Sequence, residues 1–133
     1  MRANGAKGRL FGALFGTAAT VACSSDVPFA LQNERLFFFD FNRGEISGQY
    51  NPAGFSSDEV QRVAEWLCDR GRLGDITETE LENGLTDVAV PCRTSNITGQ
   101  GRAEIRRRAS GDLFDVVYRG TTQHGRILRK RTF

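Results

Sequence analysis

The chain has little of what metal and nucleophilic chemistry require. Its 133 residues include one histidine, His124, and three cysteines, Cys23, Cys68 and Cys92. A structural zinc site takes four nitrogen or sulfur ligands, and Cys68, Cys92 and His124 are too few to build one. A catalytic histidine needs an orienting partner and a nucleophile, and the polar stretch Gly120-Thr121-Thr122-Gln123-His124-Gly125 offers neither. No phosphate-binding glycine loop is present, since Gly99-Gln100-Gly101 is too short to serve as one, and no cofactor-binding pattern appears elsewhere. The longest apolar run, residues 10–22, is 13 residues long. As a helix it reaches only about 20 Å, short of the roughly 30 Å hydrocarbon core of a bilayer, which excludes a permanent transmembrane span there.

Acidic residues are scarce at both ends. Lys and Arg number 18 against 16 Asp and Glu, a formal charge of +2. Arg2, Lys7 and Arg9 precede the apolar run with no acidic residue among the first 22. From Arg102 onward nine basic residues face only Glu104, Asp112 and Asp115. A short cationic start, a small-residue apolar middle and the polar Ser24-Ser25-Asp26 make the three-part layout of a secretory signal. A buried N-terminal helix is the competing reading. It is weakened by Gly12 and Gly16, which disfavour a helix interior, and by the lack of a polar face.

Thr20-Val21-Ala22-Cys23 resembles the lipobox of bacterial lipoprotein precursors, with Thr20 where leucine is common. The resemblance implies removal of residues 1–22 and acylation of Cys23 as the new N-terminus, with ordinary signal cleavage near Ala22 or Cys23 as the alternative. Several acyl chains hold a small domain stably at a membrane where a single chain is marginal. Ser24 resembles the residue that follows the cysteine in lipoproteins sent to the outer membrane. Assigning Cys23 to lipid leaves Cys68 and Cys92 as one disulfide in an oxidising compartment, closing a loop of about 24 residues and contributing roughly 3 kcal/mol. Two buried free thiols are the alternative.

Residues 23–34, with Pro28 and little periodicity, read as a lipidated tether, and 35–133 as one domain. Leu36-Phe37-Phe38-Phe39-Asp40-Phe41 suits a buried strand. It faintly resembles the first strand of peptidoglycan-binding domains of the outer-membrane-protein-A type, but that family's downstream asparagine, aspartate and arginine motif is missing, so no function carries over. Asn42-Arg43-Gly44 is turn chemistry, and alternation over residues 45–50 predicts a return strand. Phe55-Ser56-Ser57-Asp58-Glu59-Val60 combines a capping box with a hydrophobic staple. Val60, Val63, Ala64 and Leu67 follow a helical stripe ending near Gly71, with Trp66 as a packing residue. Thr77 and Glu80, with Ile76 and Leu81, repeat the device and predict one or two helical turns, with a hairpin at Asn83-Gly84 as the alternative. Residues 87–92 predict a strand, 94–100 a loop, and 102–133 a three-stranded meander.

The expected fold is therefore α+β: a small antiparallel sheet with one main α-helix packed on it and a C-terminal meander. A two-residue turn at Ser110-Gly111 sets Arg106 opposite Asp115 and puts Ala103, Ile105, Phe114, Val116 and Tyr118 on one face. The other face then carries Arg102, Arg106, Arg108 and Arg119, with Arg126, Arg129, Lys130 and Arg131 supplied by the last strand and its approaches; Arg106 is spent on Asp115, and Arg102, Arg108, Arg119, Arg129 and Arg131 are the candidate anion- or partner-binding residues. A solvated, edge-protecting face is the competing explanation. Asp40 in its apolar strand reads as a satisfied structural carboxylate, with a raised pKa as the competing reading. The sequence implies a non-enzymatic envelope lipoprotein, an accessory, structural or binding subunit on the periplasmic side of a bacterial membrane. Its expected partners are membrane lipid through Cys23 and an acidic protein surface or anionic envelope component. The alternatives are a small periplasmic hydrolase, which requires Asp40, Glu45 and His124 to converge in one cleft, and an intracellular nucleic-acid-binding protein, which the export signal disfavours.

Overall fold

The computed structural model of the protein describes residues 27–68, 72–93, 100–122 and 124–133. The segment read as a secretory signal, Cys23, Gly71 and residues 94–99 lie outside the described residues. Eight strands and two helices follow one another as α1 (Phe29–Gln32), β1 (Leu36–Asn42), β2 (Glu45–Tyr50), α2 (Ser57–Cys68), β3 (Arg72–Leu73), β4 (Thr77–Glu80), β5 (Thr86–Arg93), β6 (Gln100–Arg107), β7 (Phe114–Thr122) and β8 (Gly125–Thr132). Every strand pairing is antiparallel. The sheet runs β3-β5-β2-β1-β6-β7-β8, with β4 paired to β5 beside β3. The molecule is thus a mostly antiparallel β-structure of the α+β class, curved into a half-barrel.

The phenylalanine-rich strand becomes β1, at the centre of the sheet between β2 and β6. Strand geometry sends alternate side chains to opposite faces, so Phe37, Phe39 and Phe41 enter the core while Phe38 and Asp40 point outward. The turn into β2 has Arg43 at φ 52° and Gly44 at φ 84°, the left-handed pair that a tight two-residue hairpin demands. On the same inner face lie Ile46 and Tyr50 from β2, Val88, Val90 and Cys92 from β5, Ala103 and Ile105 from β6, and Phe114, Val116 and Tyr118 from β7. The meander register is the expected one, with Arg106 opposite Asp115 and Ile105 opposite Val116.

The capping box at the start of α2 is formed in both directions. Glu59 N–H donates to Ser56 Oγ at 3.2 Å, and Ser56 N–H donates to Glu59 Oε1 at 2.9 Å. Val60, Val63, Ala64, Leu67 and Cys68 join the same apolar cluster as the inner sheet residues. Cys68, the last residue of α2, is bonded to Cys92 on β5, with Cα atoms 5.6 Å apart and both side chains buried.

Two expectations change. Residues 77–80 form strand β4 rather than helical turns, although Thr77 and Glu80 have capping-box spacing. Gly84 adopts φ 91°, Asn83 Oδ1 accepts the Leu85 N–H, and the Leu81 N–H donates to the Leu85 carbonyl. The hairpin closes on β5, and ladder hydrogen bonds replace a helix too short to stand alone. The segment expected as a tether is also partly folded. Phe29–Gln32 forms a helical turn whose Ala30 is buried, and Asn51 Nδ2 donates to the Ala30 carbonyl at 3.2 Å.

Inside this frame Arg107 holds a joint. Its parity places it on the inner face with Ala103 and Ile105, 10% exposed. Nη2 donates to Glu59 Oε1 at 2.6 Å, Nε to the Gly54 carbonyl at 2.8 Å, and Nη1 to the Gly111 carbonyl at 2.9 Å. The guanidinium lies 4.7 Å from the Phe55 ring centroid and 5.2 Å from that of Phe114. Burial raises the Glu59 pKa, but hydrogen bonds from Arg107 and Ser56 and the Arg107 charge outweigh it and hold the carboxyl below its ordinary value. A group lowered on folding stabilises the fold above its unfolded pKa and loses that contribution as pH falls through the folded value. Arg107→Leu, which leaves Glu59 half-buried without its cation, should therefore lower stability at pH 7 by roughly 3 kcal/mol. Urea unfolding at pH 7 and pH 3 checks this, with the gap between parent and variant narrowing in acid.

Candidate functional site

The outward face of β1, β6, β7 and β8 carries the arginines picked out by spacing, but their partners differ from expectation. Asp40, Arg102, Arg119 and Leu128 form one row across the four strands, and Phe38, Glu104, Val117 and Lys130 the next. Arg102 Nε donates to Asp40 Oδ1 at 2.9 Å, and its guanidinium lies 5.0 Å from the Phe38 centroid. Asp40 is therefore an exposed, ion-paired carboxylate on the outer face rather than a group immersed in the core. Arg106 pairs with Glu104 on its own strand at 3.2 Å. Asp115 instead takes Arg108, through Nε and Nη2, each at 2.9 Å, and Thr132 Oγ1 at 2.6 Å. Arg108 and Thr132 hold Asp115 below its ordinary carboxylate value. Although Arg106 and Asp115 are opposite in register, Arg108, two residues along the same face, presents its planar fork to both carboxylate oxygens and wins the contact.

The five candidate arginines do not form one patch. Arg102, Arg108 and Arg119 share the outer face, with Arg102 and Arg108 already ion-paired. Arg129 and Arg131 lie on the other face of the edge strand β8, opposite Tyr118 and Val116. Arg129 donates through Nη2 to the Trp66 carbonyl at 3.0 Å, near the C-terminal end of α2, and lies 4.3 Å from the Trp66 ring centroid. Arg131 lies 4.5 Å from the Phe133 centroid. On the outer face Arg119, Arg126 and Lys130 have no ion-pair partner among the described residues. These three cations make this surface basic, and alternation along β8 with Ile127 and Arg129 is the sequence signal that assigns Arg126 and Lys130 to it.

A second polar cluster lies between the inner side of β4 and the start of α2. Tyr50 Oη donates to Glu78 Oε1 at 2.6 Å and Ser57 Oγ to Glu78 Oε2 at 2.5 Å, while Gln61 Nε2 donates to Ser57 Oγ at 3.2 Å. Burial raises the Glu78 pKa, but hydrogen bonds from Ser57, Tyr50 and Gln61 more than offset it and hold the carboxyl low. A serine beside such a carboxylate has a poor proton acceptor, so the cluster works as a clamp between β4 and α2. The phenol of Tyr50 is pushed up to about 12, first by burial and then by its hydrogen bond to Glu78 and that carboxylate's charge.

His124 lies exposed in the turn between β7 and β8, its backbone N–H donating to Thr122 Oγ1. Glu45 begins β2 opposite Asn42, on the outer face. A groove of about 370 Å³ runs beside Asp40, bounded by Phe29, Phe38, Ser47, Gln49 and Asp87, and neither Glu45 nor His124 lines it. Among the described residues no group of three or more His, Cys, Asp or Glu is arranged to hold a metal ion, and no helix is long and apolar enough to cross a membrane. Cys23 lies outside the described residues. No family model, curated protein or solved structure matches the chain.

Both tyrosines of the chain have raised pKa values, Tyr118 through burial partly offset by the charge of Arg129. A raised phenol stabilises the fold below its unfolded pKa, near 10, and loses that contribution as pH climbs toward the folded value. Phenolate absorbance at 295 nm should accordingly stay low in the native protein at about pH 10.5. Half-titration of one tyrosine near pH 10 that Tyr50→Phe abolishes, with the fold intact, would contradict the clamp.

Proposed function

We propose that the chain is the precursor of a bacterial envelope lipoprotein, a non-enzymatic accessory or binding subunit anchored on the periplasmic side of a membrane by acylated Cys23. The observation that carries it is the sorting of the cysteines: Cys68 and Cys92 are joined inside the core, which leaves Cys23, directly after the apolar segment 10–22, as the remaining one. A buried disulfide suits an oxidising envelope compartment, and a lone exported cysteine preceded by Thr20-Val21-Ala22 suits lipidation. Ser24 favours the outer membrane as the destination. In this reading α2 is the one main helix of a small stapled scaffold, seated on the inner face of the sheet. The outer face is left to meet a partner, an acidic protein surface or an anionic envelope component, through Arg119 with its unpaired neighbours Arg126 and Lys130.

Intact-mass measurement of protein from bacterial membranes should show loss of residues 1–22 and the added mass of acyl chains. Cys23→Ala should shift the domain from the membrane to the soluble fraction. An uncut N-terminus in the membrane-bound protein would end this assignment.

A further inference from the structure

Residues 27–31 do not behave as a spacer. Val27, Phe29 and Leu31 are 46%, 58% and 40% exposed, three of the five large exposed hydrophobic residues among those described. Phe29 is fixed rather than loose: its ring stacks edge-on against Phe38 at 5.5 Å, on the outer face of β1. Phe38 in turn carries the Arg102 guanidinium. The apolar turn α1 therefore lies at one side of the same face that carries Arg119, Arg126, Lys130 and the exposed Leu128 farther along.

The charge on that face is uneven in a consistent direction. Its acidic residues on β1, β6 and β7 are Asp40, Glu104 and Asp115, each ion-paired with its own arginine. Arg119, Arg126 and Lys130 remain as unmatched positive charge. Glu45 and Asp87 lie on β2 and β5, on the side away from β8, and Asp87 lines the groove beside Phe29. Exposed apolar side chains on a face that also carries unmatched cations suit the boundary of an anionic bilayer, where apolar groups enter the headgroup region and cations meet the headgroups. Chain length fits the same occupant. Only Ser24, Ser25 and Asp26 lie between Cys23 and Val27, so Val27 is at most about 14 Å of extended chain from Cys23.

We infer that the domain lies on the membrane through this face, with Val27, Phe29 and Leu31 inserted at the interface of an anionic phospholipid bilayer and Arg119, Arg126 and Lys130 against its headgroups. The inference rests on the anchored reading above for its geometry. It makes residues 27–31 part of the docked surface and turns α2, Trp66 and the inner face away from the lipid.

The single tryptophan supplies an internal control, because Trp66 is on α2, packed with Phe133 and Arg129. Full-length protein from membranes is placed in vesicles containing about 30% phosphatidylglycerol and lipids brominated near the headgroup. Phe29→Trp should add emission that loses about half its intensity to the bromines, as expected for a side chain about 5–10 Å deep, while Trp66 in the parent stays unquenched. Arg119→Glu with Lys130→Glu should cut the quenching at position 29 several-fold and leave flotation with the vesicles unchanged.

Acyl mass and flotation report on the anchor, and quenching reports on the docked face. An acylated, floating chain with unquenched Trp at position 29 overturns the docking and leaves the anchor standing. A chain without acyl mass that is quenched at position 29 on anionic but not neutral vesicles supports the docking and removes the anchor. Equal quenching of position 29 and Trp66, or quenching indifferent to the charge reversals, overturns the orientation.

Discussion

The guanidinium of Arg107 is the point on which the arrangement of this domain turns. Three chain segments meet at it: the loop before α2 through the Gly54 carbonyl, the first turn of α2 through Glu59, and the β6–β7 connection through the Gly111 carbonyl. Phe55 and Phe114 enclose its faces. A charge this buried is tolerated because its donors face defined acceptors and its planar surfaces meet aromatic rings. Glu59 is shared between two duties, since the oxygen that accepts from Arg107 also accepts the Ser56 N–H. The cap of α2 and the end of β6 are thereby one structure.

From that joint the two faces of the sheet acquire different characters. The inner face holds the aromatic and branched residues, the disulfide, and polar groups tied to one another, among them Tyr50, Ser57 and Glu78. Gly101 and Gly120 sit opposite each other on β6 and β7 beneath the Tyr118 ring, and a methyl group on either would collide with it. The outer face has little apolar cover apart from α1, and its ion pairs leave positive charge in excess on the β7–β8 side.

Much of this was legible in the residues. The strand at 36–41, the alternation of 45–50, the reciprocal Ser56–Glu59 cap, the stripe of α2 and the register of β6 with β7 are local patterns, and local patterns were enough, although β1 buries one face rather than two. Three features were not, each because a distant contact decides it. Thr77 and Glu80 have the spacing of a helix start, yet β5 offers a ladder and Tyr50 and Ser57 claim Glu78. Arg107 reads as one more surface cation in a basic run until its neighbours in space are known. Asp115 faces Arg106 by register but bonds Arg108, because side-chain reach rather than backbone opposition selects the partner. Of the candidate arginines, Arg102, Arg108 and Arg119 lie on the outer face with the first two already ion-paired, whereas Arg129 and Arg131 lie on the other face.

The functional account depends on the three cysteines dividing into one anchor and one staple. Disulfide geometry fixes the second part, with Cys68 and Cys92 brought together across 24 residues by α2 and β5. The most direct measurement counts thiols in protein taken from bacterial membranes, unfolded without reductant and treated with an alkylating reagent before peptide mapping. The account predicts no alkylated cysteine, a Cys68 peptide linked to a Cys92 peptide, and Cys23 recovered only as an acylated N-terminus. Alkylated Cys68 and Cys92, with Cys23 unmodified inside an uncut chain, would contradict it.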